Sequence, residues 1–342
     1  MSGAGELSAD EIALYDRQIR LWGMTAQANM RSASVLLINL GAIGNEITKN
    51  IVLSGIGSLT ILDSHDVTEE DLGAQFFIGK DDIGTKRLEA ARRHIEDMNP
   101  RVKLTVDISD LQSKNKEFFS QFNLIVITDL FPADIEKLNE VTRELNVPIY
   151  VAGINGLSGY IFTDLVEFIS TDEKVKSARP EQLGKQSPNK EIINLSERKD
   201  EENNAVYQVI TTKHTYKPLK ELLKSATLIN QLSRRQLKRM TPKVPLTLTL
   251  LQYETFQNIN LDDFRKKYDL TRKQLGLLIG EISNDTIEEF VEQAAVEISP
   301  VAAIIGGAVA QDVINILGKR QSPLNNFVVF DGTSLDMWVF EL

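Results

Sequence analysis

Short apolar runs alternate with amphipathic stretches through the first half of the chain. Ser8-Ala9-Asp10-Glu11 has the spacing of a capping box and predicts an amphipathic helix to about Ser32. Residues 34–40, with Val-Leu-Leu-Ile at their centre, predict a buried parallel strand. Gly41-Ala42-Ile43-Gly44 turns the chain into a helix that runs to about Leu53. Residues 59–63 read as a second strand ending in Asp63. Residues 84–98 read as a helix stopped by Asn99-Pro100. Strands at 102–106, 124–128 and 148–152, with a helix at 133–145, continue the pattern. This alternation predicts an α/β fold with parallel βαβ units and a doubly wound, Rossmann-like sheet.

The pattern changes after Glu167. Residues 171–204 are polar, carry Pro180 and Pro188, and include the charge run Arg198-Lys199-Asp200-Glu201-Glu202. They predict a flexible excursion. Residues 216–298 are mostly helical by periodicity and predict an inserted helical subdomain. Pro300 opens an apolar helix to Leu317. Residues 327–330 are a late strand, and 335–340 its partner after the Asp331-Gly332 turn. The expected division is therefore 1–168, an insert at 169–294, and a returning 295–342. A length of 342 residues suits about two domains.

Composition narrows the function classes. The net charge of −10 argues against nucleic acid or an anionic membrane as a general partner. Residues 301–310 are too short an apolar run to span a bilayer, and residues 1–6 lack a secretory h-region. A nuclear or cytosolic location is expected. The chain has no cysteine. Disulfides, a thiol nucleophile and thiolate metal sites are excluded. His65, His94 and His214 lie far apart without metal-ligand spacing, so no metal site is expected.

The turn after the first strand is the strongest local signal. Glycines there let a backbone approach phosphate at a helix N-terminus, and an acid about 20 residues on accepts from ribose hydroxyls. Gly41 and Gly44 keep two of the glycines, Asn39 replaces the first, and Asp63 supplies the acid. A Rossmann-like unit that only folds remains an equal reading of this degenerate fingerprint. A hydride-transferring dehydrogenase would need a proton-handling group, and only the scattered histidines offer one.

The helix before the first strand carries Tyr15-Asp16-Arg17-Gln18-Ile19-Arg20-Leu21-Trp22-Gly23. This stretch resembles the start of adenylation domains in the ubiquitin-activating, ThiF-like family, which includes bacterial sulfur-carrier adenylyltransferases. Further matches fall at 59–63, 71–76, 125–129, 300–307 and 325–332. The resemblance covers about 8–168 and 295–342. With Trp22 and Gly73-Ala74-Gln75-Phe76, the chain looks most like the smaller, cysteine-less subunits that serve SUMO-type modifiers, of fungal type.

The resemblance implies a ThiF-type adenylation fold in its degenerate form. Asn39 stands for a glycine, Ala74 for a phosphate-binding arginine, Arg87 for a lysine and Leu130 for an asparagine. Asp129 matches a metal-holding aspartate. Gly41, Gly44, Asp63 and Asp129 would then be a vestigial nucleotide site. No cofactor is expected on this chain, and ATP with Mg2+ would sit on a partner. That partner would be a larger, cysteine-bearing subunit, because thioester formation needs a thiolate. The resemblance assigns Arg17 a role in trans, reaching the partner's ATP phosphates. Pairing of Arg17 with Asp16 or Glu11 on its own helix is the plain alternative. A homodimeric sulfur-carrier adenylyltransferase, or the equivalent subunit for another ubiquitin-like modifier, is the alternative function.

Three other features have ordinary readings beside functional ones. Gly306-Gly307 suits a subunit interface or a core helix on the sheet. Arg234-Arg235-Gln236-Leu237-Lys238-Arg239 suits an import signal or a solvated helix face. The pairs Phe76-Phe77 and Phe118-Phe119 are expected as core anchors.

Overall fold

The inner strands of the large sheet form where apolar, largely β-branched runs are buried on both faces. In the computed structural model, which describes residues 7–177, 180–199, 205–319 and 321–342, twelve strands build two sheets. The first five are β1 (Ser34–Ile38), β2 (Ser58–Leu62), β3 (Lys103–Asp107), β4 (Leu124–Thr128) and β5 (Ile149–Asn155). They pair in parallel in the order β3-β2-β1-β4-β5, with Leu36 opposite both Thr60 and Ile125. β6 (Ser158–Asp164) returns antiparallel on β5, and β11 (Phe327–Asp331) and β12 (Asp336–Phe340) extend the sheet to eight strands. β6 is buried throughout. Its Ser-Gly-Tyr-Ile-Phe-Thr-Asp sequence gave no apolar run, and the periodicity missed it.

Helices cover both faces. Ala42–Leu53, Arg87–Met98 and Ser299–Leu317 pack on one, through Ile43, Ile47, Leu88, Ile95, Ile305 and Val309. Pro132–Leu145 covers the other, through Ile135 and Leu138. Leu219, Leu222, Leu237, Val244 and Leu248 join that same core. The stretch predicted as a helical subdomain is therefore helical, but its first part completes the second face of the sheet. A parallel sheet needs that cover, since both its faces are apolar. Only a smaller cluster around Leu246, Phe264, Tyr268 and Phe290 stands apart from it.

Residues 171–204 differ from expectation. They lie largely in a four-stranded antiparallel sheet, ordered β7-β10-β9-β8, from β7 (Glu167–Val175), β8 (Gly184–Ser187), β9 (Lys190–Lys199) and β10 (Val206–Thr215). Opposite charges across the sheet, between β7 and β10 and across β10 between β7 and β9, help explain why so polar a segment is ordered. Arg198 pairs with Glu173, Lys213 with Glu167 and Lys176 with Glu197. One face also buries Ser170, Ile192, Ile210 and His214. Part of the charge run, residues 200–202, lies outside the described residues.

The N-terminal helix is also divided. The Ser8–Glu11 capping box forms, but Ala9–Leu14, Asp16–Trp22 and Met24–Arg31 are three short helices. Gly23 breaks the second from the third at φ 86°, a conformation open to glycine. Tyr15 breaks the first from the second, its ring lying against Gly55 and its hydroxyl accepting from Asn99 Nδ2 at 2.9 Å.

The long helix Ser299–Leu317 is a core helix. It is apolar and long enough by composition to cross a membrane, yet over half of it is buried. Gly306 lies against Ile43 O and Glu46 of helix Ala42–Leu53, so a side chain there would push the two helices apart. Of the phenylalanine pairs, Phe77 and Phe119 are buried and Phe76 is exposed. Arg234–Arg239 is a short capped helix, exposed except for Leu237, as a solvated face would be.

Candidate functional site, a crevice at the strand ends

After β1 the chain crosses to one face of the sheet, and after β4 to the other. Such a switch point opens a crevice beyond the strand ends, where ligands bind in this architecture. Gly41, Gly44, Asp63 and Asp129 all come together there. Cavities of about 160 and 280 Å3 lie in it.

Asn39 occupies the first glycine position with φ 66°, which asparagine tolerates better than most residues. Its Nδ2 donates to the carbonyls of Thr128 and Asp129 at 3.0 and 3.1 Å, so the substituted residue ties β1 to β4 across the crevice. Gly44 retains the close-packing role, since a Cβ there would lie 2.6 Å from Asn39 O.

Asp63 is fully buried, and its oxygens are already occupied. Oδ2 accepts from Leu40 N at 2.9 Å and Arg87 Nη1 at 3.1 Å. Oδ1 accepts from His65 N at 2.9 Å and lies 2.7 Å from His65 Nδ1. Burial pushes this carboxyl up, but His65, Arg87 and Leu40 N together hold it below the usual range. The hydrogen bond to Asp63 raises His65 in turn. Arg87 Nη2 reaches Asp71 Oδ1 at 3.2 Å, so its guanidinium is clamped between two carboxylates. Asp71 also accepts from Thr68 N at 2.8 Å and Gln75 Nε2 at 2.6 Å.

The N-terminus of helix Ala42–Leu53 faces two more carboxyls. Glu297 Oε1 accepts from Ala42 N at 2.7 Å. A Cβ on Gly41 would lie 2.6 Å from that oxygen and would collide with Asp129 Oδ2. Asp129 is exposed at the crevice mouth. The protein mass around it first, and the Glu297 charge second, push its carboxyl up, and solvent tempers the push. Burial likewise raises Glu297, whose carboxyl lies with that of Asp129 beside Gly41. Glu297 thus sets a carboxyl on the helix N-terminus, where negative charge is favoured.

The cavity walls carry Asp63, Asp110, Asp129, Asp134 and Glu297. Arg87 and His65 are the positive or protonatable groups among the described lining residues, and both are engaged with Asp63. Ala74 packs against the core and offers no charge. These residues do not fit a polyphosphate: its cradle is filled, its field is negative and its cation is committed. Sequence reasoning named Arg87 but missed Glu297, Asp71 and the Asp63–His65 pair. A glutamate just before the apolar helix at Pro300 was the available signal for Glu297.

Arg17 lies elsewhere. Gln18 Nε2 donates to Leu53 O at 3.4 Å, which places this segment at the far end of helix Ala42–Leu53, ~18 Å of helix from the crevice. Arg17 is exposed, and no ion pair engages it among the described residues. The alternative pairing of Arg17 with Asp16 or Glu11 does not form. Asp16 pairs with Arg20 at 3.0 Å and Glu11 with Arg31 at 2.9 Å. Leu14, Leu21 and Met24 on the same segment are exposed, and so is Leu53 beside it.

A doubly wound sheet, a glycine turn and an Arg-bearing helix ahead of β1 define the class. The ThiF family matches residues 15–342, and the chain belongs to that family. It is 58% identical over 340 residues to the DNA damage tolerance protein RHC31 of Saccharomyces cerevisiae, covering 98% of both chains. It is 33% identical over 339 residues to SUMO-activating enzyme subunit 1 of Homo sapiens, covering 96% of this chain and 94% of that one. The likeness thus runs through the middle of the chain, beyond the two blocks that the motifs marked. The crystal structure of E. coli MccB shares the fold, with a TM-score of 0.54 at 14% identity, over 96% of this chain and 71% of that one.

Proposed function

We propose that this chain is the non-catalytic small subunit of a heterodimeric SUMO-activating enzyme. The observation that carries this is the crevice whose helix N-terminus is filled by Glu297 instead of being open to phosphate. The whole-length likeness to SUMO-activating enzyme subunit 1 supports the modifier class. ATP and Mg2+ then belong to the partner subunit.

The chemistry divides the labour. A modifier carboxylate oxygen attacks the α-phosphorus of ATP, and pyrophosphate leaves. A thiolate then attacks the acyl-adenylate carbonyl, and AMP leaves. With no cysteine, this chain cannot supply the thiolate. The partner must carry it. What this chain contributes is Arg17, a guanidinium without an ion-pair partner among the described residues and remote from its own crevice, set beside exposed Leu21 and Leu53. Apolar surface beside a free cation suits a subunit interface with one polar contribution across it. In the complex, Arg17 neutralises charge on the polyphosphate in the partner's site.

Reconstitution tests this reading. The chain mixed with a cysteine-bearing SUMO-activating subunit should elute as one heterodimer and form an ATP-dependent thioester on that partner. Adenylation by the chain alone, as a homodimer, would instead favour a sulfur-carrier adenylyltransferase.

A further inference from the structure

Two kinds of change can silence a nucleotide site: loss of groups that hold phosphate, and gain of a group that stands in its place. Ala74 and the committed Arg87 are losses. Glu297 is a gain. Its carboxylate accepts from Ala42 N, the kind of donor a phosphate oxygen would take at a helix N-terminus. It also fills, with Asp129, the space that Gly41 leaves open.

The segment before it is fastened. Ala294 bridges to Asn155 at the end of β5. Asn155 Oδ1 accepts from Ala295 N at 3.2 Å, and Gly156 N donates to Val296 O at 3.0 Å. Ala295 takes φ 61°, unusual for a residue with a Cβ, and this turns the chain so that Glu297 enters the crevice. On the other side, Ser299 and Pro300 begin the core helix Ser299–Leu317. Glu297 is thus held between a bridge to β5 and a buried helix.

We propose that residues 294–298 form an internal strap whose Glu297 carboxylate occupies the phosphate position of helix Ala42–Leu53. The crevice is closed to polyphosphate by an added anion and not only by missing cations. This rests on the reading of the crevice as a silenced nucleotide site. Removing the anion should therefore restore a weak anion site even though Ala74 and Leu130 are unchanged.

The test is thermal melting of the isolated chain in about 10 mM pyrophosphate, against potassium chloride of matched ionic strength. Glu297→Ala should melt about 2 °C or more higher with pyrophosphate. The wild type should not shift, and Glu297→Gln, which removes the charge but keeps an oxygen for Ala42 N, should shift less than Glu297→Ala. No shift in a folded Glu297→Ala, or an equal shift in the wild type, overturns the strap. Should Glu297→Ala fail to fold, hydrogen exchange of the Ala42 amide in the wild type decides. It should be protected and insensitive to pyrophosphate, and a pyrophosphate-dependent change overturns the proposal. Tight ATP binding by the wild type would sink the subunit reading itself. A silent Glu297→Ala beside a non-binding wild type removes the strap alone.

Discussion

Replacing Arg17 by alanine should slow ATP–pyrophosphate exchange by the assembled enzyme about 10²-fold while leaving the two chains associated. The fold should survive, because Arg17 is exposed and its neighbours pair with other residues: Asp16 with Arg20, and Glu11 with Arg31. Assembly should survive, because apolar side chains such as Leu21 and Leu53 provide contact area that one charge does not. The rate should fall, because a cation set against developing polyphosphate charge acts in a desolvated, preorganised place. Arg17→Lys should recover only part of the rate, since it restores charge without the bidentate fork. Exchange assays run beside size-exclusion chromatography separate the outcomes. A wild-type rate in the intact heterodimer would remove the role in trans. A fall that tracks dissociation would make the residue a structural contact.

Arg87→Ala should act in the opposite way, costing stability and leaving catalysis by the remaining folded complex unchanged. Its guanidinium lies between Asp63, whose side chain is fully buried, and Asp71, which is nearly so. Removing the cation leaves two carboxylates facing each other across a gap, a defect that commonly costs about 3–5 kcal/mol. The lower end is expected here, because Asp63 keeps Leu40 N and His65 while Asp71 keeps Thr68 and Gln75. Urea unfolding of the isolated chain measures it. A loss below about 1 kcal/mol would place the pair among solvent-screened ion pairs and show that Arg87 is free for another task.

The parallel half of the fold was legible because burial on both faces leaves near-continuous apolar runs. Residues 34–40 and 124–128 carry that mark, and β1 and β4 lie there. β6, buried throughout, was not legible because Ser158, Gly159, Thr163 and Asp164 interrupt its apolar residues, and the β7–β10 sheet was not legible because its strands are largely polar. Their order comes from cross-strand partners such as Arg198–Glu173 and Lys213–Glu167, which no local window contains. The division of residues 9–31 turned on Gly23 and on Tyr15 meeting Gly55, again a distant contact. In the site, Gly41, Gly44 and Asp63 were readable because backbone approach and helix polarity demand particular residues at fixed spacing. Glu297 was not, because 255 residues separate it from the Ala42 amide it caps. Arg17 was found only by its motif, and the structure adds that it has no ion pair among the described residues and lies far from its own crevice.

Counting nucleotide in the reconstituted heterodimer tests the central claim most directly. Calorimetric titration with Mg-ATP should give one site per heterodimer and no binding to this chain alone. Two sites per heterodimer, or low-micromolar binding by the isolated chain, would contradict it.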